Sequence, residues 1–279
     1  MTTSIKQEYL QVDGLKTFLV RAGSGHPLLL IHGAAPGASS LINWKLNIEP
    51  LAAAGFTVYA YDQPGYGYTE NPSDYSIEYR VAHAKALLNA LKLDRLHVLG
   101  NSVGGYIAAR LGLEDERAKS FVTTTSGSLS PQGSADSQAL AKKHSEELRE
   151  YEPSLENMRK LTLGTIFNKE LVTEELVRER YEMSTGKNYE AQLQRRNAAR
   201  QRPLHDELNQ LRVKALLLWG ANDRGVSVER GIELFQRIPN AEFHLFDRCA
   251  HWVQWDKAER FNELVAHFLR SKLKALRIA

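Results

Sequence analysis

The chain has 279 residues, of which 43% are hydrophobic, and its formal net charge at pH 7 is only +3. This length suits a single α/β sheet that carries an insertion, and the apolar content supports a large core. Basic and acidic residues are interspersed, so the sequence does not predict binding to nucleic acid. No run reaches the roughly 18 apolar residues of a membrane span, so no membrane association is expected.

The N-terminal residues lack the basic and apolar regions of a signal peptide. The single cysteine, Cys249, cannot form an internal disulfide and suits a reducing compartment. We therefore expect a cytoplasmic protein. No pair of His or Cys has metal-ligand spacing on one element, and no phosphate-binding glycine loop is present, so no metal or cofactor is expected.

Short apolar runs alternate with helical patterns along most of the chain. Strands are predicted at 27–31, 56–61, 96–99, 120–125, 215–219 and 242–246, and helices at 44–54, 77–91, 106–113 and from about 258. This alternation is typical of a mostly parallel sheet with helices on both faces. Residues 129–202 are instead rich in charged residues and glutamine and are interpreted as several helices. We expect this segment to form a helical lid over an α/β core made of 1–128 and 203–279.

The sequence Gly100-Asn101-Ser102-Val103-Gly104-Gly105 follows an apolar strand and opens a small-residue helix. A strand, sharp turn and helix of this kind form a nucleophile elbow, which exposes the serine hydroxyl. The turn holds Ser102 in a strained backbone conformation, so Gly100 and Gly104 are needed on either side. Ser102 is the predicted nucleophile, although a surface Gly-Ser turn would have the same pattern.

A serine nucleophile needs a general base and a carboxylate that orients the base. Asp223 and His251 each follow a predicted strand, at 215–219 and 242–246, and the order Ser, acid, His is that of an α/β-hydrolase. Asp247 and Asp256 are the rival acids, but each is so close to His251 in sequence that the chain would have to fold back. Cys249 is not expected to be a nucleophile, because Ser102 already fills that role.

The eight other histidines are interpreted without chemistry. His32 follows the strand at 27–31 and is expected to shape the loop after it, whereas His144 and His205 lie in a polar, charge-rich region and are expected to be structural or solvated.

Acyl transfer also needs two backbone N–H groups directed at the oxyanion. The amide of Val103 supplies one by the geometry of the elbow. The second is expected from the loop His32-Gly33-Ala34-Ala35-Pro36-Gly37-Ala38-Ser39, with Ala34 as the donor. In the lid, Arg180 lies four residues after Leu176 on one helical face, but spacing alone does not distinguish it from a solvated arginine.

These motifs together resemble the meta-cleavage product hydrolases, which are carbon–carbon bond hydrolases of bacterial aromatic-ring degradation. The resemblance rests on the elbow at 100–105, the loop at 32–38 followed by Asn43, the run Gly220-Ala221-Asn222-Asp223-Arg224, the run His251-Trp252-Val253-Gln254-Trp255, and the lid stretch 171–180. It covers nearly the whole chain and implies an α/β-hydrolase fold with a homodimeric or larger assembly.

The resemblance further implies a small-molecule substrate with a 2-hydroxy-6-oxo-hexa-2,4-dienoate core, cleaved by water between carbons 5 and 6. Arg180 matches the family's lid arginine, which holds the dienoate end of the substrate, and a guanidinium fork suits a carboxylate. Asn43, Asn101 and Trp252 match further pocket positions, and Gly33 is included as a substrate-binding residue.

Two departures from the family affect the pocket wall. Ala34-Ala35 replaces the usual Gly-Gly or Ser-Gly, and Gly225 replaces the phenylalanine of Asp-Arg-Phe-Val-Pro. We expect the missing aromatic side chain to leave space for a bulkier ketone substituent. A carboxylesterase or lactonase with the same triad, and a ligand receptor built on the hydrolase fold, are the alternatives. A dehalogenase or epoxide hydrolase is disfavoured, because the elbow nucleophile of those enzymes is aspartate.

Overall fold

The computed structural model describes residues 4–129, 133–198 and 201–276, with side chains up to residue 271. Eight strands form one sheet in the spatial order β1-β2-β4-β3-β5-β6-β7-β8. Strand β2 is antiparallel to both of its neighbours, and all pairings from β4 to β8 are parallel. The strands are Ile5–Val12 (β1), Leu15–Ala22 (β2), His26–Ile31 (β3), Phe56–Tyr61 (β4), Leu96–Asn101 (β5), Ala118–Thr124 (β6), Lys214–Gly220 (β7) and Ala241–Phe246 (β8).

Helices cover both faces of the sheet, as the alternating sequence pattern predicts. They are Ser40–Asn43 (α1), Ile48–Ala53 (α2), Ile77–Ala90 (α3), Val103–Glu114 (α4), Ala135–Arg149 (α5), Leu155–Thr165 (α6), Glu174–Glu182 (α7), Lys187–Asn197 (α8), Val228–Arg237 (α9), Val253–Asp256 (α10) and Ala258–Leu276 (α11). Short 3-10 turns lie at Lys169–Leu171 and Leu208–Gln210. In the part of the chain that the structure describes, no helix has the length and apolarity to cross a membrane.

The core consists of two apolar layers, one on each face of the sheet. Along β3, Leu29 and Ile31 belong to the layer formed with α3 and α4, whereas Leu28 and Leu30 belong to the layer formed with α2 and α11. A strand that is buried on both faces has no polar side to alternate with. This explains why β3 and β7 appear in the sequence as the unbroken apolar runs 27–31 and 215–219.

The structure departs from the predicted elements in three places. The predicted helix at 44–54 is two short helices, because the chain turns at the fully buried Trp44 between α1 and α2. The last helix extends to Leu276, whereas the sequence predicts only its start near residue 258. The sequence analysis does not include the hairpin of β1 and β2. The dipeptide Asp13-Gly14 at its turn is a strong hairpin signal in the sequence, and both residues have positive φ in the structure.

The order in which strands are added to the sheet changes direction between β3 and β5. The chain leaves β3 for β4 on one side and later returns to β5 on the other side of β3. Ligands of open α/β sheets bind in the crevice at such a switch point, outside the carboxyl ends of the strands. The loop at 32–39 and Ser102 both lie at this edge.

Helices α5 to α8 are inserted between β6 and β7, and we call them the helical insertion. Ile166 and Leu176 of this insertion pack against Ile42, Trp252 and Trp255 of the sheet domain in a small apolar cluster. The insertion therefore contacts the loops that follow β3 and β8.

Candidate active site

Ser102 lies at the sharp turn between β5 and α4. Its backbone has φ 54° and ψ −121°, a strained conformation for a residue with a side chain. A Cβ atom at Gly100 would lie 2.1 Å from the carbonyl oxygen of Gly104, and one at Gly104 would lie 2.1 Å from that of Ile31. Both glycines are thus required for the close approach of the chain, as the sequence predicts.

Asp223 and His251 are joined by a hydrogen bond. The Nδ1–H of His251 donates to Oδ2 of Asp223 at 2.7 Å, and the Asp223 side chain is only 2% exposed. Oδ1 of Asp223 accepts from the amides of Gly225 at 2.7 Å and Val226 at 3.0 Å. Burial by itself would raise the pKa of Asp223, but the charge of His251 and these donors outweigh it and hold the pKa below its ordinary value.

The rival acids have other positions. Asp247 is exposed. Asp256 accepts hydrogen bonds from the amides of Ala250 at 2.8 Å, Phe167 at 2.9 Å and Asn168 at 2.9 Å. Its carboxylate therefore ties the helical insertion to the loop that carries His251, and it is Asp223 that orients the histidine.

A cavity of about 290 Å³ lies above Ser102 and His251. Eight of the ten sequence-predicted site residues line it: Gly33, Ala34, Asn43, Asn101, Ser102, Val103, His251 and Trp252. Asp223 lies behind His251, and Arg180 is not part of the lining. The structure thus brings the predicted nucleophile, base and oxyanion loop to one site.

The predicted oxyanion donors flank the serine. Val103 is the first residue of α4, so its N–H has no partner within the helix. A Cβ atom at Gly33 would lie 3.3 Å from Cβ of Ser102, which shows how closely the loop after β3 approaches the elbow. Ala34 follows directly and faces the same cavity.

His32 fixes the shape of that loop. Its Nδ1–H donates to the carbonyl of Gly33 at 2.6 Å, and its Nε2 accepts from the amide of Gln63 at 3.0 Å. Complete burial lowers the pKa of His32 to about 3, so the ring is neutral at pH 7. This agrees with the structural interpretation of His32.

Two amide side chains offer unused polar atoms at the cavity. Asn43 accepts at Oδ1 from the Gly33 amide at 3.4 Å, while its buried Nδ2 has no partner. Asn101 donates from Nδ2 to the carbonyl of Thr124 at 3.4 Å, while its buried Oδ1 has none. A bound ligand can therefore meet one amide donor and one amide acceptor.

Arg180 is fully buried in the helical insertion, although the sequence pattern alone does not distinguish it from a solvated arginine. Its guanidinium lies 4.7 Å from the centre of the Trp252 ring and donates to Oγ1 of Thr162 at 3.0 Å and to the carbonyl of Pro36 at 3.2 Å. Its Nε is buried without a partner. Burial lowers the pKa of Arg180 to about 10, so it remains charged at pH 7.

Sequence reasoning missed His144, which lies on α5 and lines the cavity. It also predicted open space at Gly225, and the structure corrects this. A Cβ atom at Gly225 would lie 2.4 Å from Cδ2 of His144, so the histidine ring occupies the space that a side chain at 225 would need. A glycine at 225, two residues after Asp223, indicates in the sequence that another group packs closely against the backbone, but it does not identify that group as His144.

An elbow serine, an acid–histidine pair and two amides facing one cavity define a serine hydrolase on an open α/β sheet. The family model described as the alpha/beta hydrolase fold matches residues 26–258. The chain belongs to this α/β-hydrolase family and, within it, to the meta-cleavage product hydrolases, as the relatives described next establish.

A 2-hydroxy-6-oxononadienedioate/2-hydroxy-6-oxononatrienedioate hydrolase 1 of Dechloromonas aromatica is 32% identical over 88% of both chains. A 2-hydroxy-6-oxo-6-phenylhexa-2,4-dienoate hydrolase of Burkholderia cepacia is 32% identical over 96% of this chain and 97% of its own. The solved meta-cleavage product hydrolase from Pseudomonas fluorescens IP01 superimposes with a TM-score of 0.85 at 30% identity, covering 95% and 97% of the two chains.

Proposed function

We propose that this protein is a serine-dependent hydrolase that cleaves the C5–C6 bond of 2-hydroxy-6-oxo-hexa-2,4-dienoate-type ring-cleavage products in aromatic degradation. The relatives named above act on substrates of this type. In this proposal Ser102, His251 and Asp223 form the triad, and the amides of Ala34 and Val103 form the oxyanion hole.

The reaction uses one water molecule and yields an acid and a dienoate. Ketonisation of the dienol first allows carbon 5 to leave as a stabilised dienolate. His251 takes the proton of Ser102 as its oxygen attacks the carbon 6 ketone, and the two amides stabilise the resulting oxyanion. The C5–C6 bond then breaks, the released dienolate is protonated at its carbon 2 oxygen, and water hydrolyses the acyl-serine to release the acid.

Asp223 serves this chemistry by holding the His251 ring. Because its carboxylate accepts from Nδ1–H, it leaves Nε2 of His251 as the nitrogen that exchanges protons at the cavity. The hydrogen bonds of Asp223 to His251 and to the amides of Gly225 and Val226 thus select one tautomer of the base.

The observation that carries the substrate class is the buried charge of Arg180. Among the described residues its guanidinium forms no ion pair with a carboxylate: it donates to Oγ1 of Thr162 and to the carbonyl of Pro36, and its Nε is unpartnered. An unpaired buried cation costs free energy unless an anion compensates it. The carboxylate of a dienoate supplies such an anion, with Gly33, Asn43, Asn101 and Trp252 as the further substrate contacts. Direct contact requires a small shift of Trp252 or α7, since Arg180 stacks on the Trp252 ring.

We propose that the helical insertion, taken as 129–202 in the sequence, is a lid over this cavity, and that 1–128 and 203–279 form the hydrolase core. Residues 130–132 and 199–200 of that segment lie outside the described residues. Ala141, Ser145 and Leu148 of α5 and Thr165 of α6 line the cavity, which supports the lid assignment. The proposal also includes a cytoplasmic homodimer or a larger assembly of dimers, which light scattering tests directly.

The alternative is a carboxylesterase or lactonase that uses the same triad. It needs no anion site, so the buried guanidinium of Arg180 favours the dienoate hydrolase. A ligand receptor on this fold has no particular observation in its favour.

The test is to mix the purified protein with the yellow ring-cleavage products of catechol, 3-methylcatechol and 2,3-dihydroxybiphenyl and to follow the loss of dienolate absorbance. We expect rapid bleaching of at least one product, and loss of this bleaching in Ser102→Ala. If wild type bleaches none of them but hydrolyses simple esters or lactones, the esterase alternative is correct.

A further inference from the structure

His144 stands at the side of the cavity opposite to Arg180. Arg180 contacts the loop after β3, through the carbonyl of Pro36. Gly225 follows β7 and lies against the His144 ring. Ser102 follows β5, and the sheet order places β5 between β3 and β7. An extended substrate with its carboxylate at Arg180 and carbon 6 at Ser102 therefore directs its carbon 6 substituent toward His144.

The His144 ring closes this end of the cavity. Its centroid lies 6.2 Å from that of His251, and its edge covers the backbone of Gly225. His144 also lines a second cavity of about 650 Å³ on the outer side of the insertion, whose other lining residues include Lys143, Tyr151 and Arg224. The imidazole is thus a partition between the site and the outer cavity, and its size limits the length of the substituent.

The cavity lining around His144 combines apolar side chains, among them Leu148 and Val226, with polar side chains and one cation. Ser128, Gln201 and Arg230 line the same cavity. Arg230 is 7% exposed and donates from its guanidinium to the carbonyl of Gly127. A carboxylate placed beside Arg230 gains charge-assisted hydrogen bonds that a phenyl ring cannot make. Burial and then the charge of His251 lower the pKa of His144, so at pH 7 its ring is neutral and offers one N–H donor.

On the basis of the proposed function, we propose that His144 is a specificity-determining residue of the acyl end of the cavity. It selects ring-cleavage products whose carbon 6 substituent is a short chain ending in a carboxylate over products with a phenyl substituent. Its bulk excludes the ring, and its N–H together with the charge of Arg230 favours the acid.

The experiment compares kcat/KM for two substrates, 2-hydroxy-6-oxononadienedioate and 2-hydroxy-6-oxo-6-phenylhexa-2,4-dienoate, in wild type, His144→Ala and His144→Gln. Lys143→Ala is the matched control, because Lys143 is the neighbouring residue on α5 and lines only the outer cavity. Thermal melting verifies that each variant is folded. The ratio of the two kcat/KM values is the readout, since a general loss of folded protein does not change it.

We expect wild type to prefer the dioate, and His144→Ala to shift the ratio toward the phenyl substrate by about tenfold, with Lys143→Ala unchanged. His144→Gln, which keeps a donor, should retain more of the dioate preference than His144→Ala. A wild-type preference for the phenyl substrate, or an unchanged ratio in His144→Ala, overturns the inference while leaving the proposed function intact. Cleavage of neither substrate overturns the inference, and the proposed function falls with it only if the ring-cleavage products of catechol and 3-methylcatechol are not cleaved either.

Discussion

Two buried charged side chains, Asp223 and Arg180, lie close to residues that line the cavity, and the protein surrounds them differently. Asp223, after β7, has both oxygens bonded, to His251 and to two backbone amides. Arg180, in the helical insertion, bonds only to neutral oxygens and leaves Nε unpartnered. A fully satisfied charge is fixed in place before substrate arrives, whereas a partly satisfied one gains a partner when an anion binds. The difference assigns Asp223 to the proposed catalytic machinery and Arg180 to the proposed recognition of the substrate.

The largest effect is expected from Asp223→Asn. The amide keeps the shape of the side chain but cannot hold the same tautomer of His251, so kcat should fall by about 10³- to 10⁴-fold. Because the triad is common to every acyl transfer at this site, dienoate cleavage and ester hydrolysis should fall together. Steady-state kinetics on both substrates measures this.

Asp247→Asn is the matched control, since Asp247 is an acid close to His251 in sequence but exposed in the structure. It should retain wild-type rates. A large decrease of kcat in Asp247→Asn, with little decrease in Asp223→Asn, would show that the acid of the triad has been assigned to the wrong residue.

A smaller and selective effect is expected from Arg180→Ala. A hydrogen bond to a charged group contributes roughly 1.5–3 kcal/mol, so kcat/KM for dienoates should fall by about 10- to 100-fold. Hydrolysis of p-nitrophenyl acetate, which has no carboxylate, should stay within about threefold of wild type. Arg180→Lys keeps the charge but not the planar guanidinium fork, so its kcat/KM for dienoates should lie between those of wild type and Arg180→Ala. Equal losses on both substrates would place Arg180 in the scaffold of the site and not in substrate recognition.

Three buried histidines, unlike Asp223 and Arg180, are neutral at pH 7, and we expect them to make the stability of the protein depend on pH. Burial lowers the pKa of His32 to about 3 and of His83 and His97 to about 4. In the unfolded chain these histidines titrate near 6.5, so between about pH 6.5 and 4 the unfolded state binds more protons. The free energy of unfolding should therefore decrease as the pH falls through this window.

Each fully titrating histidine contributes up to about 1.4 kcal/mol per pH unit to this slope. Urea unfolding of wild type and His97→Gln at several pH values measures it, and the variant should show the shallower dependence. His97 lies in β5 and donates or accepts at Ser120, away from the cavity, so its substitution tests the protonation without altering the site. Identical slopes in the two proteins would contradict the prediction.

The sheet domain was more accessible to sequence reasoning than the insertion, for a physical reason. Strands β3 and β7 are largely buried on both faces and contain the continuous apolar runs 27–31 and 215–219, and Gly100 and Gly104 are required by local backbone geometry. Such features depend on residues close together in the chain. The order Ser102, Asp223 and His251 could then be recognised without tertiary contacts.

The parts that the sequence did not reveal depend on packing between distant segments. His144 faces the cavity because α5 packs over Gly225, about 80 residues later in the chain, and nothing in the local pattern around 144 indicates this. Likewise, helical periodicity places Arg180 on the face of Leu176, but its complete burial arises from contacts with the loop at Pro36 and with Trp252. The first β-hairpin could have been found, because its signal was local.

The carboxylate of Asp256 has a consequence for how the insertion moves. It accepts the amides of Phe167 and Asn168, just after α6, and of Ala250, next to His251. Lifting this end of the insertion would leave the N–H groups of Phe167 and Asn168 without their acceptor. For the lid proposed above, we therefore expect substrate to enter by movement of α5, while Asp256 holds the end of α6 against the loop that carries His251.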